Sequence, residues 1–196
     1  MPLIGDEENI TMLVNAQNAK NSLITNEVTV GGIKYQCEKL EFPPDFSVVL
    51  PKDFIELAPE YVVIKYPNVN RLKTILSNQD TTVNFAFELM SIKTEELETR
   101  LTKYKSVTKK IYPSDIYFSQ QTYNLESGLT LGTYDYQGIA LDDDIYYLNF
   151  ITDLPNGELF GSFTCPINVR SQWEPVIRQL LLTIKPWPQK EAEENA

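Results

Sequence analysis

Leu129-Thr-Leu-Gly-Thr-Tyr-Asp-Tyr-Gln-Gly-Ile-Ala140, Ile145-Tyr-Tyr-Leu-Asn-Phe-Ile-Thr152 and Glu158-Leu-Phe-Gly-Ser-Phe-Thr-Cys165 follow one another with almost no connecting chain. Aromatic and β-branched residues fill these runs. The gaps, Leu141-Asp-Asp-Asp144 and Asp153-Leu-Pro-Asn-Gly157, hold turn formers, which is the composition of an antiparallel meander running from Leu129 to Pro166. Asn156-Gly157 is the sharpest signal, because both residues tolerate the positive φ of a tight hairpin. The meander is a scaffold and shows no catalytic pattern.

Upstream, Glu27-Val-Thr-Val-Gly-Gly-Ile-Lys-Tyr-Gln-Cys-Glu-Lys-Leu-Glu-Phe42 alternates on both sides of Gly31-Gly32. That predicts a first hairpin with Ile33, Tyr35, Cys37, Leu40 and Phe42 on its buried face. Four prolines between Phe42 and Glu60 forbid a long regular element there. A short strand is expected at Phe46 to Leu50 and a single helical turn at Pro51-Lys-Asp-Phe54. Tyr61-Val-Val-Ile-Lys-Tyr66 reads as a strand stopped by Pro67, and Arg71 to Asn78 and Thr82 to Met90 as two more. In the last of these Val83, Phe85, Phe87 and Leu89 share one face. Asp115 to Leu125 is the strand that leads into the meander.

Two helices are expected. From Thr94 to Ile111 the residues Leu97, Leu101, Tyr104, Val107 or Thr108, and Ile111 recur at helical spacing. Thr94 is suited to the N-cap, glutamates follow it, and Lys103, Lys105, Lys109 and Lys110 lie toward the negative end of the dipole before Pro113. The closing helix begins near Ser171, whose spacing to Glu174 matches a capping box. Its buried stripe is Trp173, Val176, Ile177, Leu180, Leu181 and Ile184, and Lys185-Pro186 ends it. Adjacent strands with only two long helices indicate an α+β fold, an antiparallel sheet of about seven to nine strands packed by those helices.

The chain divides into residues 1–22, a single domain over 23–186 and a solvated tail over 187–196. Ile10, Met12, Leu13 and Val14 form one amphipathic turn in the first segment, which is either a mobile tail or a short docking helix. The 27 acidic residues exceed the 17 basic ones, giving a net charge of −10, so neither nucleic acid nor an anionic membrane is an expected partner. No secretory leader or membrane-length apolar run is recognisable, and a cytoplasmic location is expected. Cys37 and Cys165 fall in strands far from any metal-ligand spacing. They read as reduced, buried thiols, with a strand-to-strand disulfide as the alternative.

The chain contains no histidine. That removes imidazole-activated serine and cysteine nucleophiles and the commonest metal ligand. Asp142-Asp143-Asp144 lacks the alternation of a calcium loop and reads as a hairpin tip. Phosphate-cradling glycine loops and the GxSxG elbow are missing from the sequence, so no cofactor and no catalytic residue is expected. Tyr134, Tyr136, Tyr146 and Tyr147 crowd the meander. Tyr146 and Tyr147 face opposite ways, so this aromatic set is either packing beneath the helices or a surface that binds a peptide or apolar ligand. Trp187 is either a lid over the core edge or an exposed anchor.

The order of elements resembles the fold shared by the extrinsic PsbP subunit of photosystem II, a small Ran-binding nuclear-transport factor, the DcrB lipoproteins and the adaptor chaperones of type VI secretion effectors. The resemblance rests on Phe46-Ser-Val-Val-Leu-Pro-Lys-Asp-Phe54, the sheet, the middle helix and the closing helix after Trp173, and covers about Val28 to Pro186. Tyr66-Pro-Asn-Val-Asn-Arg71, Val83-Asn-Phe-Ala-Phe87 and Phe163-Thr-Cys-Pro166 with Trp173-Glu-Pro-Val176 resemble an uncharacterised family of Gram-positive gut bacteria. The resemblance implies a PsbP-like sandwich and, by analogy, a non-enzymatic protein-interaction module or adaptor, monomeric or homodimeric. Tyr134, Tyr136, Tyr146, Tyr147 and Trp187 are the candidate partner-binding residues. The alternative is a carrier of a small apolar ligand in a cavity between sheet and helix.

Overall fold

The computed structural model describes residues 26–139 and 143–188. Within them the order is β1 (Glu27–Val30), β2 (Ile33–Phe42), β3 (Phe46–Pro51), β4 (Ile55–Glu56), α1 (Pro59–Lys65), β5 (Thr74–Ser77), β6 (Asn84–Met90), α2 (Leu97–Ile111), β7 (Ile116–Asn124), β8 (Thr130–Gly138), β9 (Ile145–Leu154), β10 (Gly157–Pro166), α3 (Arg170–Leu181) and β11 (Lys185–Pro186). The expected N-terminal segment, residues 1–22, and Asp142 of the carboxylate run lie outside the described residues.

The meander becomes β8, β9 and β10 at the centre of a seven-stranded sheet ordered β4-β5-β6-β10-β9-β8-β7. A four-stranded sheet, β1-β2-β3-β11, packs against it, and every strand pairing is antiparallel. The α+β reading therefore holds, with the strands divided between two sheets. Alternate residues of a strand face opposite ways, so the seven-stranded sheet has two dressed faces. Its inner face presents Phe85, Phe87, Leu131, Leu148, Phe150 and Phe163 to the small sheet's Phe46, Val48 and Leu50 and to α3. On its outer face Tyr134, Tyr136 and Ile151 pack under Leu101 of α2, and Ile75 and Ala86 pack with Leu57 beside α1.

Two glycines are packing requirements of this arrangement. A Cβ at Gly161 would stand 2.1 Å from the Phe150 ring, and one at Gly132 would stand 2.8 Å from Leu97 and 3.0 Å from Leu101. The first lets an aromatic ring lie across β10; the second lets α2 settle on β8. Gly31 and Gly32 take φ of 56° and 82° in the β1–β2 turn, the left-handed region in which a side chain is strained.

Several sequence expectations change. Tyr61-Val-Val-Ile-Lys-Tyr66 is helical, not extended: Pro59 occupies the first turn of α1, and β4 takes the edge of the sheet instead. Pro51 to Phe54 is a turn into β4 rather than a helical turn. Helix α2 begins at Leu97 with Glu96 at its N-cap, not at Thr94. Helix α3 begins at Arg170, and no side-chain bond caps it; the Glu174 carboxylate bonds Arg170 and Arg178 instead of closing a capping box. Lys185-Pro186 leaves that helix to pair with Ser47 and Phe46. Ile33 is exposed at the turn end of the first hairpin, where it pairs with Val30 beside Gly31-Gly32.

Candidate partner-binding surface

Strand register sets the outer-face tyrosines in a row. Tyr117 lies opposite Tyr136, and Tyr136 opposite Tyr147, with Thr164 next across the sheet. Their rings stack: Tyr117 on Tyr136 at 5.1 Å and Tyr136 on Tyr147 at 4.8 Å, with an interplanar angle of 5° for the second pair. Gly138 leaves the space that the Tyr147 ring occupies. At the outer end of the row the Lys109 ammonium stands 5.6 Å from the Tyr117 ring centre.

Three of the five sequence-chosen residues are interior. Tyr134 and Tyr136 are buried under α2, where Tyr134 and Thr108 share a hydroxyl hydrogen bond of 3.0 Å. Tyr146 is fully buried on the inner face and donates to Asp135 at 3.0 Å. Tyr147 is half-buried at the end of the stack. Trp187 is half-buried past β11, its backbone N–H donating to Asp45. The structure thus brings Tyr134, Tyr136 and Tyr147 together on one face and sets Tyr146 and Trp187 apart from them.

At the end of α2, two side chains expected in the helix stripe reach the surface. Val107 and Ile111 continue the α2 stripe but are exposed, Ile111 at 62%. Tyr112 and Ile116 follow across a short turn closed by Asp115 N–H donating to the Tyr112 carbonyl, and both are exposed. The backbone N–H of exposed Ile139 donates to Asp115 at 3.2 Å, which places it beside them. Lys105, Lys109 and Lys110 belong to the same end of α2. Val107 and Ile111, one helical turn apart, and the adjoining Tyr112 therefore form a small exposed apolar surface at the lysine-bearing end of α2, on a chain of net charge −10, whereas Ile116, next to the Tyr117 that stacks under α2, turns to the opposite face of the sheet. Nothing in the helical period separates a stripe residue over the sheet from one past its edge, which is why the sequence did not mark them.

Two surface grooves lie elsewhere. One, of about 430 Å³, runs between the sheets along Phe42, Pro43, Phe46, Lys73 and Phe87. The other, of about 660 Å³, is acidic and lies at the start of α2 between Glu95, Glu96, Glu98 and Asp153. Beneath α3, where a carrier would hold its ligand, Trp173, Val176, Ile177, Leu180 and Leu181 fill the space against Phe163 and Val48.

No protein-family model matches the chain, and neither does any curated protein. Among solved structures, cyanobacterial PsbP (CyanoP) from Synechocystis superposes with a TM-score of 0.59 at 7% identity, over 77% of this chain and 92% of that one. The fold is PsbP-like. A protein of unknown function, PA94 from Pseudomonas aeruginosa, gives a TM-score of 0.47 at 12% identity over 78% and 99% of the two chains. Identities this low carry the architecture alone. Among the described residues no helix is long and apolar enough to cross a membrane.

The PsbP-like sandwich encloses groups that resist ionisation. Burial pushes Tyr134, Tyr136, Tyr146 and Tyr147 above the ordinary phenol range and raises the Cys165 thiol. Burial first, then the charge of Asp53, raises Cys37 to about 11. These groups hold their protons more tightly folded than unfolded, so the stability they confer is complete below the reference values of 9.0 and 10.0 and is lost as pH rises through the folded values. Thermal unfolding followed by circular dichroism is therefore expected to give a flat melting temperature from about pH 7 to pH 8.5 and a steep fall above about pH 10. A melting temperature unchanged at about pH 11 would contradict this account of the interior.

Proposed function

We propose that this chain is a non-enzymatic protein-binding module, an adaptor that docks an acidic, apolar segment of a partner protein on the surface formed by Val107, Ile111 and Tyr112 at the C-terminal end of α2. The observation that carries the reading is the exposure of Val107 and Ile111 one helical turn apart, with Tyr112 following them, since exposed apolar surface bordered by polar groups marks an interaction site. Lys109 and Lys110 in the last turn of α2 favour a partner segment of negative charge. Tyr147 lies near the same end of the outer face, its ring and the Asp115 carboxylate both beside Gly138. Two free, buried thiols suit a reducing cytoplasm. The buried carboxylates Asp135 and Glu158 are each held by an arginine and a tyrosine, which supports a structural role for them over a catalytic one. The filled space beneath α3 favours this reading over the ligand carrier.

The test is capture of partners by the tagged protein, wild type against Ile111→Asp and Val69→Asp, with affinity for each recovered protein measured afterwards. Ile111→Asp is expected to weaken binding by about tenfold or more, while Val69→Asp, exposed outside the patch, leaves it unchanged. Equal binding by both variants would remove the α2 patch as the docking surface.

A further inference from the structure

Strand β7 is an edge of the seven-stranded sheet, and among the described residues no strand pairs with its outer side. The other edge strands are short: β4 and β11 have two residues each, and β1 has four, beginning with Glu27. β7 has nine, Ile116-Tyr-Phe-Ser-Gln-Gln-Thr-Tyr-Asn124, without a charge or a proline on a chain of net charge −10. Charges and prolines ordinarily guard a sheet edge, and a long edge that lacks them is a template for another strand. A bulge between Tyr117 and Gln120 interrupts the register, and beyond it Gln120 to Asn124 run regularly against Tyr134 to Thr130. The Gln121 carbonyl accepts from the Thr133 hydroxyl at 3.5 Å and so faces into the sheet. Alternation along an antiparallel ladder then turns the N–H and C=O of Gln120 and Thr122 outward.

Helix α2, which runs antiparallel beside this strand, indicates what those groups meet. Glu98 accepts from the Thr122 hydroxyl at 3.5 Å, Thr102 accepts from the Gln120 amide at 3.0 Å, and Lys105 donates to the Ser119 carbonyl at 3.5 Å. A negative, a neutral and a positive side chain therefore follow the free edge in order. A two-fold axis through Gln121 sets Gln120 of each copy opposite Thr122 of the other, where the two exchange N–H···O=C bonds. It also keeps both α2 helices on the same side of the joined sheet, running in opposite directions. Glu98 of one copy, level with Thr122, then lies within one residue, about 3.4 Å along the strand, of the level of Lys105 of the other. The edge is self-complementary, because the same row reversed presents the opposite sign at each end. An unrelated extended segment would gain the backbone bonds alone.

We propose that two copies of this chain join through β7, antiparallel about Gln121, into one continuous sheet with Glu98 and Lys105 paired across the axis. Val107 and Ile111, about 200° and 240° round the helix from Lys105, lie on the other flank of α2, so the dimer leaves them open.

Sedimentation equilibrium of the full chain tests this. The wild type is expected to dimerise. Glu98→Lys and Lys105→Glu each set like charges across the axis and are each expected to weaken association by about tenfold, whereas the two together restore it to within about threefold. Thr122→Pro removes an outward N–H at an edge, where proline is tolerated, and is expected to weaken association at least about tenfold with the circular dichroism of the fold unchanged. A wild type that stays monomeric at about 100 µM overturns the proposal. A dimer on which the single charge variants have no effect, or which the double exchange fails to restore, overturns it too.

Discussion

Arg100→Ala is expected to lower the free energy of unfolding by about 3–5 kcal/mol, read as an earlier urea midpoint at unchanged slope. Arg100 lies in the first turn of α2 and is 3% exposed. Its guanidinium bonds Asp153 at 2.8 and 2.7 Å and Glu158 at 2.6 Å. Asp153 and Glu158 face each other across β9 and β10, and like charges so placed repel. Glu158 is fully buried and also accepts from Tyr104 at 2.6 Å. Alanine at position 100 leaves that buried carboxylate without its cation, held by the neutral Tyr104 hydroxyl. Asp153 is largely exposed and solvated, so Asp153→Ala is expected to remove only about 1 kcal/mol or less.

A double variant separates charge from packing. Arg100→Leu with Glu158→Leu removes both buried charges and is expected to recover most of the loss, because an apolar pair of similar volume often matches a buried ion pair. If the double variant is as unstable as Arg100→Ala, the loss comes from packing around α2. The pair also bears on the patch: with Arg100 and Leu101 held on β8 to β10, the orientation of α2 is fixed, and with it the presentation of Val107 and Ile111.

The meander was legible because its signal is local. Period-2 alternation and the turn formers from Asp153 to Gly157 specify strands and a turn without reference to the rest of the chain; the turn itself is Pro155-Asn156 rather than Asn156-Gly157, because Gly157 already pairs with Leu154, and β9 and β10 run in unbroken register from there to Pro166 opposite Ile145. The stripe of α3 was legible for the same reason. Tyr61 to Tyr66 was not, because whether a β-branched run becomes strand or helix depends on whether a sheet edge is free, and Ile55-Glu56 takes that edge. The tyrosines misled in another way. Strands of the central meander are covered on both faces, so alternation cannot say which face meets solvent, and Tyr134, Tyr136 and Tyr146 proved interior. The buried ion pairs join residues distant in sequence, such as Arg100 with Glu158 and Asp135 with Arg178, and no local pattern announces them.

Asp135→Ala is the other substitution expected to remove about 3–5 kcal/mol, for a related but distinguishable reason. Asp135 is fully buried on the inner face of β8. One oxygen accepts from the Ser119 backbone N–H at 2.9 Å and the Ser119 hydroxyl at 2.5 Å; the other accepts from Tyr146 at 3.0 Å and meets Arg178 at 3.1 Å. Alanine removes the acceptor of four donors at once and strands three of them, the Ser119 N–H and hydroxyl and the Tyr146 hydroxyl. Arg178 keeps Glu174, which also holds Arg170, so the positive charge is not orphaned as Glu158 is by Arg100→Ala. The loss should therefore divide between hydrogen bonds and charge, and Asp135→Asn, which keeps acceptor capacity on one oxygen, should fall about midway. A cycle with Arg178→Met measures the charge part directly. A coupling near zero would mean that Glu174 alone compensates Arg178, and that the buried carboxylate is held chiefly by Ser119 and Tyr146. A coupling of about 2 kcal/mol or more would make Asp135 the anchor that ties α3 to the sheet.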